Sequence, residues 1–240
     1  MSNLPIVLSQ AISLPAHLQA GAKALTLLDN STGLTEYLLW NGQQLSYVHD
    51  KKKQCIAIDW LAGKTAHRWR RSQHELIIRA CGINKGKVSS VLDYTCGFGQ
   101  DMMIMLASGV TVSAYEREPE VALLLADARH RLSLMHPELA DQLSIRAEDA
   151  QHSGETADVI YIDPMFPEKK SALSQQAMQV LQQINGGEAM DSATLITHAR
   201  QQARQKVVVK QPLKAPLIES LSKPSHTLRG KTVRFDVYVG

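Results

Sequence analysis

The apolar positions change rhythm near residue 85. Before it, short runs are set off by turn residues, as in Tyr37-Leu38-Leu39-Trp40, then Asn41-Gly42, then Leu45-Ser46-Tyr47-Val48. An Asn-Gly pair between two such runs predicts a β-hairpin, since both residues tolerate positive φ. The run Cys55–Trp60 predicts a third strand. Residues 1–71 are therefore expected to form a small β-rich N-terminal lobe, and 72–82 a helix leading into a larger domain, 72–240. From Val88 onward, strand-length apolar runs alternate with stretches of helical period. Strands are expected at 88–93, 111–116, 143–147, 158–163 and 206–211. Helices are expected near 100–108, 119–135, 172–184, 192–204 and 214–222. Such alternation implies right-handed crossovers and an α/β fold, a doubly wound and mostly parallel sheet. The closing runs Thr227–Arg229 and Val233–Val239, around Gly230-Lys231, predict a C-terminal antiparallel hairpin at one sheet edge.

In an open α/β sheet, ligands bind beyond the carboxyl ends of the strands. The first expected strand runs into Asp93-Tyr94-Thr95-Cys96-Gly97-Phe98-Gly99-Gln100-Asp101. Gly97 and Gly99 let the backbone turn sharply and approach a ligand. Glu116-Arg117 closes the second strand, about 20 positions beyond the loop, where a carboxylate accepts hydrogen bonds from ribose hydroxyls. The full dinucleotide fingerprint is absent, because Asp101 stands where a third glycine would admit a pyrophosphate. A carboxylate there repels diphosphate, which disfavours a nicotinamide dinucleotide. Asp93, Asp101 and Glu116 together favour a cationic cofactor, and S-adenosylmethionine carries both a sulfonium and an ammonium. After the third strand, Glu148-Asp149 offers a partner for an adenine amino group; Asp149 is equally suited to cap a helix, and both readings stand.

The run Asp158–Asp163 reads as a buried strand and leads into Pro164-Met165-Phe166-Pro167. A carboxylate, a rigid turn and an aromatic ring at one strand end suit a planar base with an exocyclic amino group. The lone pair of such an amine is delocalised into the ring. Hydrogen bonds accepted by Asp163 and the Pro164 carbonyl favour its rehybridisation and hold it in line, while Phe166 stacks on the base. Asp163 would then touch both acceptor and donor.

With 44% apolar and 20% charged residues, the chain falls in the globular class rather than the disordered one. No apolar run approaches the roughly 20 residues of a membrane span, and no basic segment precedes an apolar one as in a secretory leader. Cys55, Cys81 and Cys96 lie far apart without zinc spacing, so free thiols, no metal and a cytoplasmic location are expected. Charge is uneven. Residues 1–90 hold 11 Lys/Arg against 5 Asp/Glu, 91–199 hold 6 against 16, and 200–240 hold 9 against 2. Basic ends around an acidic middle point to a polyanionic partner. Lys51-Lys52-Lys53, and Lys64, His67, Arg68, Arg70 and Arg71 with Trp60 and Trp69 interleaved, are the candidate RNA contacts. Lys210 and Lys214 would line the same cleft.

These motifs carry a resemblance. Asp93, Thr95, Gly97, Gly99 and Asp101, then Glu116-Arg117, then Asp163-Pro164-Met165-Phe166-Pro167 with Lys169-Lys170-Ser171-Ala172-Leu173, resemble the class I (Rossmann-like) methyltransferases. More narrowly, they resemble the bacterial 16S ribosomal RNA (guanine(1516)-N(2))-methyltransferase family. Ala66-His67-Arg68, Val207-Val208-Val209-Lys210 with Pro212, and Arg234-Phe235-Asp236-Val237-Tyr238 support it, so the likeness runs from about residue 60 to the end. It implies methylation of a guanine N2 in small-subunit rRNA, free or in the 30S subunit. S-adenosylmethionine is the donor, S-adenosylhomocysteine the product, and no metal or obligate protein partner is involved. Carried over by position, Gln100-Asp101, Glu116-Arg117, Glu148-Asp149 and Asp163 are donor-site residues. Met165 stands where the broader amino-methyltransferase motif has a second proline, and Glu148-Asp149 where the family often has small hydroxyl residues. The residues alone also admit a methyltransferase for another nucleic-acid or small-molecule amine, or a non-catalytic RNA-binding protein on the same fold.

Overall fold

The computed structural model describes residues 4–9, 13–23, 25–164, 180–181, 184, 191–218 and 222–240. The larger domain is built on seven strands: β6 (Ser90–Asp93), β7 (Thr111–Tyr115), β8 (Leu143–Arg146), β9 (Ala157–Ile162), β10 (Ala203–Pro212), β11 (His226–Arg229) and β12 (Val233–Val239). Their order is β11-β12-β10-β9-β6-β7-β8. β10, β9, β6, β7 and β8 are mutually parallel, and β12 and β11 add an antiparallel edge. The Rossmann-like fold and the closing hairpin are thus present as expected.

Period-two packing explains why the central strands read as continuous apolar runs. Val91, Val159, Tyr161, Val208, Phe235 and Val237 point into one core, and Leu92, Ile160, Ile162, Val207, Val209 and Tyr238 into the other. A parallel strand buried on both faces has no polar side to show. The helix Ser192–Gln202 covers the second face through Leu195, Ile196 and Ala199. The first face is covered by Leu76–Cys81, Gln100–Leu106 and Pro119–Met135.

The N-terminal segment forms a five-stranded sheet in the order β2-β1-β3-β4-β5. β3 (Glu36–Trp40), β4 (Leu45–His49) and β5 (Gln54–Ile56) are the expected strands, paired antiparallel. The turn is longer than a two-residue Asn-Gly hairpin, because Trp40 pairs with Leu45. Asn41 Oδ1 accepts the amides of Gln43 and Gln44, and Gly42 takes the positive φ of 90°. The third strand stops at Ile56, before Asp59 Oδ1 accepts the Leu61 amide at 2.8 Å and bends the chain. β1 (Ile6–Leu8), β2 (Leu27–Leu28) and the helices α1 (Ala16–Ala22) and α2 (Gly63–Trp69) were not anticipated; all are short.

One hydrophobic cluster runs from Leu4 through Trp40 and Trp60 into the main domain. α1 packs on the helix Pro119–Met135, closely enough that a Cβ on Gly21 would lie 2.8 Å from Leu123 Cδ1. The Leu4 amide donates to Glu120 Oε1 at 3.0 Å, and the Arg131 guanidinium to the Ile58 carbonyl.

Two helical expectations change. The helix over 72–82 is confined to Leu76–Cys81, with a 3₁₀ turn before it and Gly82 (φ 75°) ending it. The helix over 214–222 does not form across 214–218. Pro212 and Pro216 remove helical amides, and the buried Arg234 guanidinium collects the carbonyls of Pro212, Leu213, Ala215 and Pro216 instead. Most of 172–184 lies outside the described residues; Val180, Leu181 and Ile184 are helical and buried.

Candidate active site

The sheet order reverses direction between β9 and β6, and such a switch point opens a crevice at the carboxyl ends. The loop after β6 and Asp163 after β9 both sit there. Asp93 is buried, and its Oδ1 accepts the Thr95 amide at 3.2 Å. Gly97 (φ 52°) and Gly99 (φ 72°) adopt the left-handed conformation their sequence positions require. The Gly97 amide donates to Glu116 Oε2 at 3.1 Å, and Glu116 Oε1 accepts the Glu118 amide at 3.0 Å. Each Glu116 oxygen retains a second lone pair for a hydroxyl. Arg117 pairs with Glu118 at 3.1 Å. Gln100 opens the helix Gln100–Leu106 and is exposed.

Trp60 holds this loop from below. Its indole N–H donates to the Phe98 carbonyl at 2.9 Å, and its ring lies where a Cβ on Gly99 would be, 2.9 Å away. The residue is 2% exposed, so it supports the cofactor loop and is not a surface for stacking RNA bases. Sequence reasoning missed this role, because an indole among basic residues looks the same whether it faces in or out.

A charge network joins the loop after β6 to the end of β9. Lys210 Nζ lies 2.7 Å from Asp101 Oδ2 and 2.7 Å from Asp163 Oδ2. Tyr161 donates its hydroxyl to Asp101 Oδ2 at 2.7 Å, and Arg68 Nη2 reaches Asp101 Oδ1 at 3.2 Å. Arg68 also forks onto Glu75 at 3.2 and 3.1 Å. The Asp163 amide donates to Thr95 Oγ1 at 2.6 Å, so the threonine of the loop after β6 fixes the chain at the end of β9. Burial alone would raise the Asp101 pKa; the charges of Lys210 and Arg68 and the Tyr161 hydrogen bond outweigh it and hold it at about 2. Asp93 and Glu116 go the other way. Burial, the largest cause for each, pushes Asp93 up to about 8 and Glu116 to about 7, against their accepted backbone hydrogen bonds.

This geometry revises several expectations. Asp101 does not present a free carboxylate to a cation, since Arg68, Tyr161 and Lys210 occupy both oxygens. Arg68 and Lys210 point into the network rather than outward to a polyanion, because the part-buried Asp101 carboxylate needs their charge. Lys64, His67, Arg70 and Arg71 are exposed on and just after α2, as a phosphate-binding set requires. Lys51, Lys52 and Lys53 are exposed on a separate turn of the N-terminal sheet. Trp69 is half-buried, with its indole N–H on the Trp60 carbonyl at 2.8 Å. Glu148 is exposed, and Asp149 caps a 3₁₀ turn by accepting the Gln151 amide at 2.9 Å. Pro164 is buried at the site; Phe166 and residues 167–173 lie outside the described residues. Tyr161 and Glu75 are site residues that went unnoticed. The i, i+2 spacing of Tyr161 and Asp163 could have revealed the first, because strand residues two apart share a face.

The residues at the switch point fit S-adenosylmethionine. Two glycines bare the backbone, the Glu116 carboxylate faces them with free lone pairs suited to hydroxyls, and Asp163 stands part-exposed at the crevice, with Asp93 buried beneath it. Among the described residues, no group of three or more His, Cys, Asp or Glu side chains is placed to hold a metal ion, and no helix is long and apolar enough to cross a membrane.

A family model described as "Putative SAM-dependent methyltransferase" matches residues 22–240. The chain is 34% identical over 236 residues to the ribosomal RNA small subunit methyltransferase J of Ectopseudomonas mendocina, covering 92% of this chain and 90% of that protein. It is 35% identical over 216 residues to the protein of the same name from Vibrio vulnificus, covering 82% of each. A crystal structure of a SAM-dependent methyltransferase from Neisseria gonorrhoeae matches with a TM-score of 0.76 at 28% identity, over 98% of this chain and 95% of that one. Matches of this length and identity, on a fold with a donor loop at its switch point, lead to one assignment: the chain belongs to the S-adenosylmethionine-dependent methyltransferase family that includes the ribosomal RNA small subunit methyltransferases J.

Proposed function

We propose that this enzyme transfers a methyl group from S-adenosylmethionine to the exocyclic N2 of a guanine in 16S rRNA. Guanine 1516 is the position and the 30S subunit or its free rRNA the partner, in the cytoplasm. The observation that carries the reading is the tie between acceptor and donor elements, with Asp163 held to the donor loop through Thr95 and through Lys210. The relatives' shared name supplies the substrate class.

Asp93, Gly97, Gly99, Gln100, Glu116 and Arg117 form the donor cradle in this reading, with Glu148 and Asp149 toward the adenine end. The bound cofactor supplies an electrophilic methyl on a sulfonium and leaves as S-adenosylhomocysteine. Asp163 and the Pro164 carbonyl accept hydrogen bonds from the guanine amine, turning its lone pair toward the methyl carbon. Lys210 holds the Asp163 carboxylate in one orientation, which lowers the cost of ordering it when the base arrives. Phe166 follows three residues after Asp163, and its stacking role rests on the sequence motif. The N–C bond forms as the S–C bond breaks, and the methylated amine then releases its proton to water, with no dedicated base needed. Lys64, His67, Arg70 and Arg71 hold rRNA phosphates on the lobe of residues 1–71, while residues 72–240 form the methyltransferase domain.

Mass mapping of methylated guanosine in 16S rRNA tests the reading. A strain lacking the gene should lack N2-methylguanosine at one position, and the purified enzyme should restore it; unaltered methylation in the deletion strain refutes the assignment. Asp163→Ala should retain donor and RNA affinity and lose turnover. Reversal of Lys64, Arg70 and Arg71 to Glu should weaken RNA binding and spare donor binding.

A further inference from the structure

The chain that leaves the site through Lys210 builds a second concave feature. β10 ends at Pro212, and the loop that Arg234 pins lines a cavity of about 400 Å³. Its walls include Leu213, Lys214, Leu217, Lys223, Thr227 and Arg229. Three cations from three segments converge on it: Lys214 after β10, Lys223 before β11 and Arg229 at the end of β11. All three are exposed, and none makes an ion pair among the described residues.

Among the described residues, no exposed carboxylate faces this charge, and Glu219 lies outside them. Among the described residues from 213 to 240, Asp236 is the only carboxylate, and it is fully buried. Arg234 Nε holds both of its oxygens at 3.1 and 3.0 Å, and Thr227 donates to it at 2.8 Å. One stretch of the wall is also hydrogen-bonded from inside the fold. Arg234 donates to four backbone carbonyls and to Gln211 Oε1, fixing the path of 212–216 from inside. Fixed loops at the carboxyl edge of a sheet are where binding residues concentrate. Leu213 and Leu217, the latter 45% exposed, give the cavity apolar surface beside its cationic rim. A small inorganic anion needs only the cations, whereas a nucleotide presents a phosphate and an apolar ring face together.

We infer that this cavity is a second nucleotide subsite, gripping a phosphodiester and an adjoining base of the RNA strand that flanks the target guanine. The inference rests on the proposed rRNA substrate and adds where the strand runs. Lys210 and Lys214 are four residues apart, so their Cα atoms are separated by at most about 14 Å even when fully extended. A strand whose base is turned into the Asp163 site thus passes within reach of Lys214. The path runs along the β10–β11 side of the sheet, away from β7 and β8.

The test is the triple variant Lys214→Glu, Lys223→Glu, Arg229→Glu of the full chain, with a single-stranded 16S fragment containing the target guanine as probe. Three lost phosphate contacts should lower the slope of log affinity against log salt by about 2, at about 0.7 per contact on single strands. The KM for the fragment should rise about tenfold or more, with kcat at saturating RNA and calorimetric S-adenosylmethionine affinity unchanged. An unaltered salt slope and KM, with donor binding intact, overturn the subsite. So does a comparable loss in the charge-retaining variant Lys214→Arg, Lys223→Arg, Arg229→Lys. Failure of the underlying reading looks different, since the wild-type enzyme would then bind donor and methylate no rRNA.

Discussion

Lys210→Met isolates the link between the loop after β6 and the end of β9, because methionine keeps the apolar stem and deletes the ammonium. Lys210 serves two carboxylates at once, each at 2.7 Å, and the side chains of Lys210, Asp101 and Asp163 are 24%, 12% and 35% exposed. Removing one member of a fully buried pair costs about 3–5 kcal/mol. Solvent reaches this cluster from the Asp163 side, so screening brings the expectation down to about 2–3 kcal/mol. For a chain of this size that is a Tm lowered by about 4–12 °C. The pH dependence gives an independent check. Asp101 has a folded pKa held near 2, below its ordinary 3.8, so its contribution is present above 3.8 and lost as pH falls through 2. Lys210 is the largest of the causes that lower it. Lys210→Met should therefore narrow that window and start acid unfolding at a higher pH. Thermal melts at pH 7, with acid titrations followed by circular dichroism, measure both effects. A Tm within 1–2 °C of wild type (roughly 0.5 kcal/mol at this size), together with an unmoved acid limb, would refute the view that Lys210 carries the cluster.

Gly99→Ala forces a Cβ to within 2.8 Å of Met102 Cε and 2.9 Å of the Trp60 ring, at φ 72°. Met102 can yield but the hydrogen-bonded indole cannot, so a loss of about 1–3 kcal/mol and a weakened donor affinity are expected by melting and calorimetry. Donor binding should be linked to protons. Asp93 and Glu116 have folded pKa values of about 8 and 7, above their ordinary 3.8 and 4.5, so the stability they contribute is lost as pH rises through 7–8. A bound cation lowers both values. Calorimetry in buffers of different ionisation enthalpy should then show proton release near pH 7–8 and tighter binding at pH 8.5 than at 6; proton uptake would contradict the cradle assigned here. Arg234→Lys cannot reproduce a fork spread over Asp236, Gln211 and four carbonyls, and should cost about 3 kcal/mol, or about 6–12 °C in Tm.

The sequence was legible where one rule acted alone. The central strands had no alternative to burial on both faces, so their positions followed from apolar runs. Gly97 and Gly99 were readable because only a left-handed turn needs glycine twice within three residues. Reading failed where a distant side chain decides the local structure. Nothing near 214–222 says that Arg234 will take its carbonyls, and nothing near Arg68 says that its guanidinium will turn inward to Asp101 rather than outward with Arg70 and Arg71. Basic residues look alike along a chain; the part-buried carboxylate that claims one of them lies 33 positions away in sequence.

The uneven charge of the chain acquires a spatial meaning through strand order. The acidic middle segment supplies β6, β7, β8 and β9, and the basic C-terminal segment supplies β10, β11 and β12. Because the sheet runs β11-β12-β10-β9-β6-β7-β8, sequence asymmetry becomes a gradient along one carboxyl edge. Lys210 sits on the first basic strand, beside the last acidic one, with a carboxylate of each motif on its ammonium. Under the proposed function, a cationic donor and an anionic RNA would bind on opposite sides of this residue. Loading either substrate changes the field at the other's half-site, so charge at position 210 should couple the two binding events. Isothermal titrations of donor with and without the RNA fragment would show any such coupling in the wild type, and it should shrink in Lys210→Met. A coupling of equal size in both proteins would mean that the two halves communicate by some other route than this ammonium.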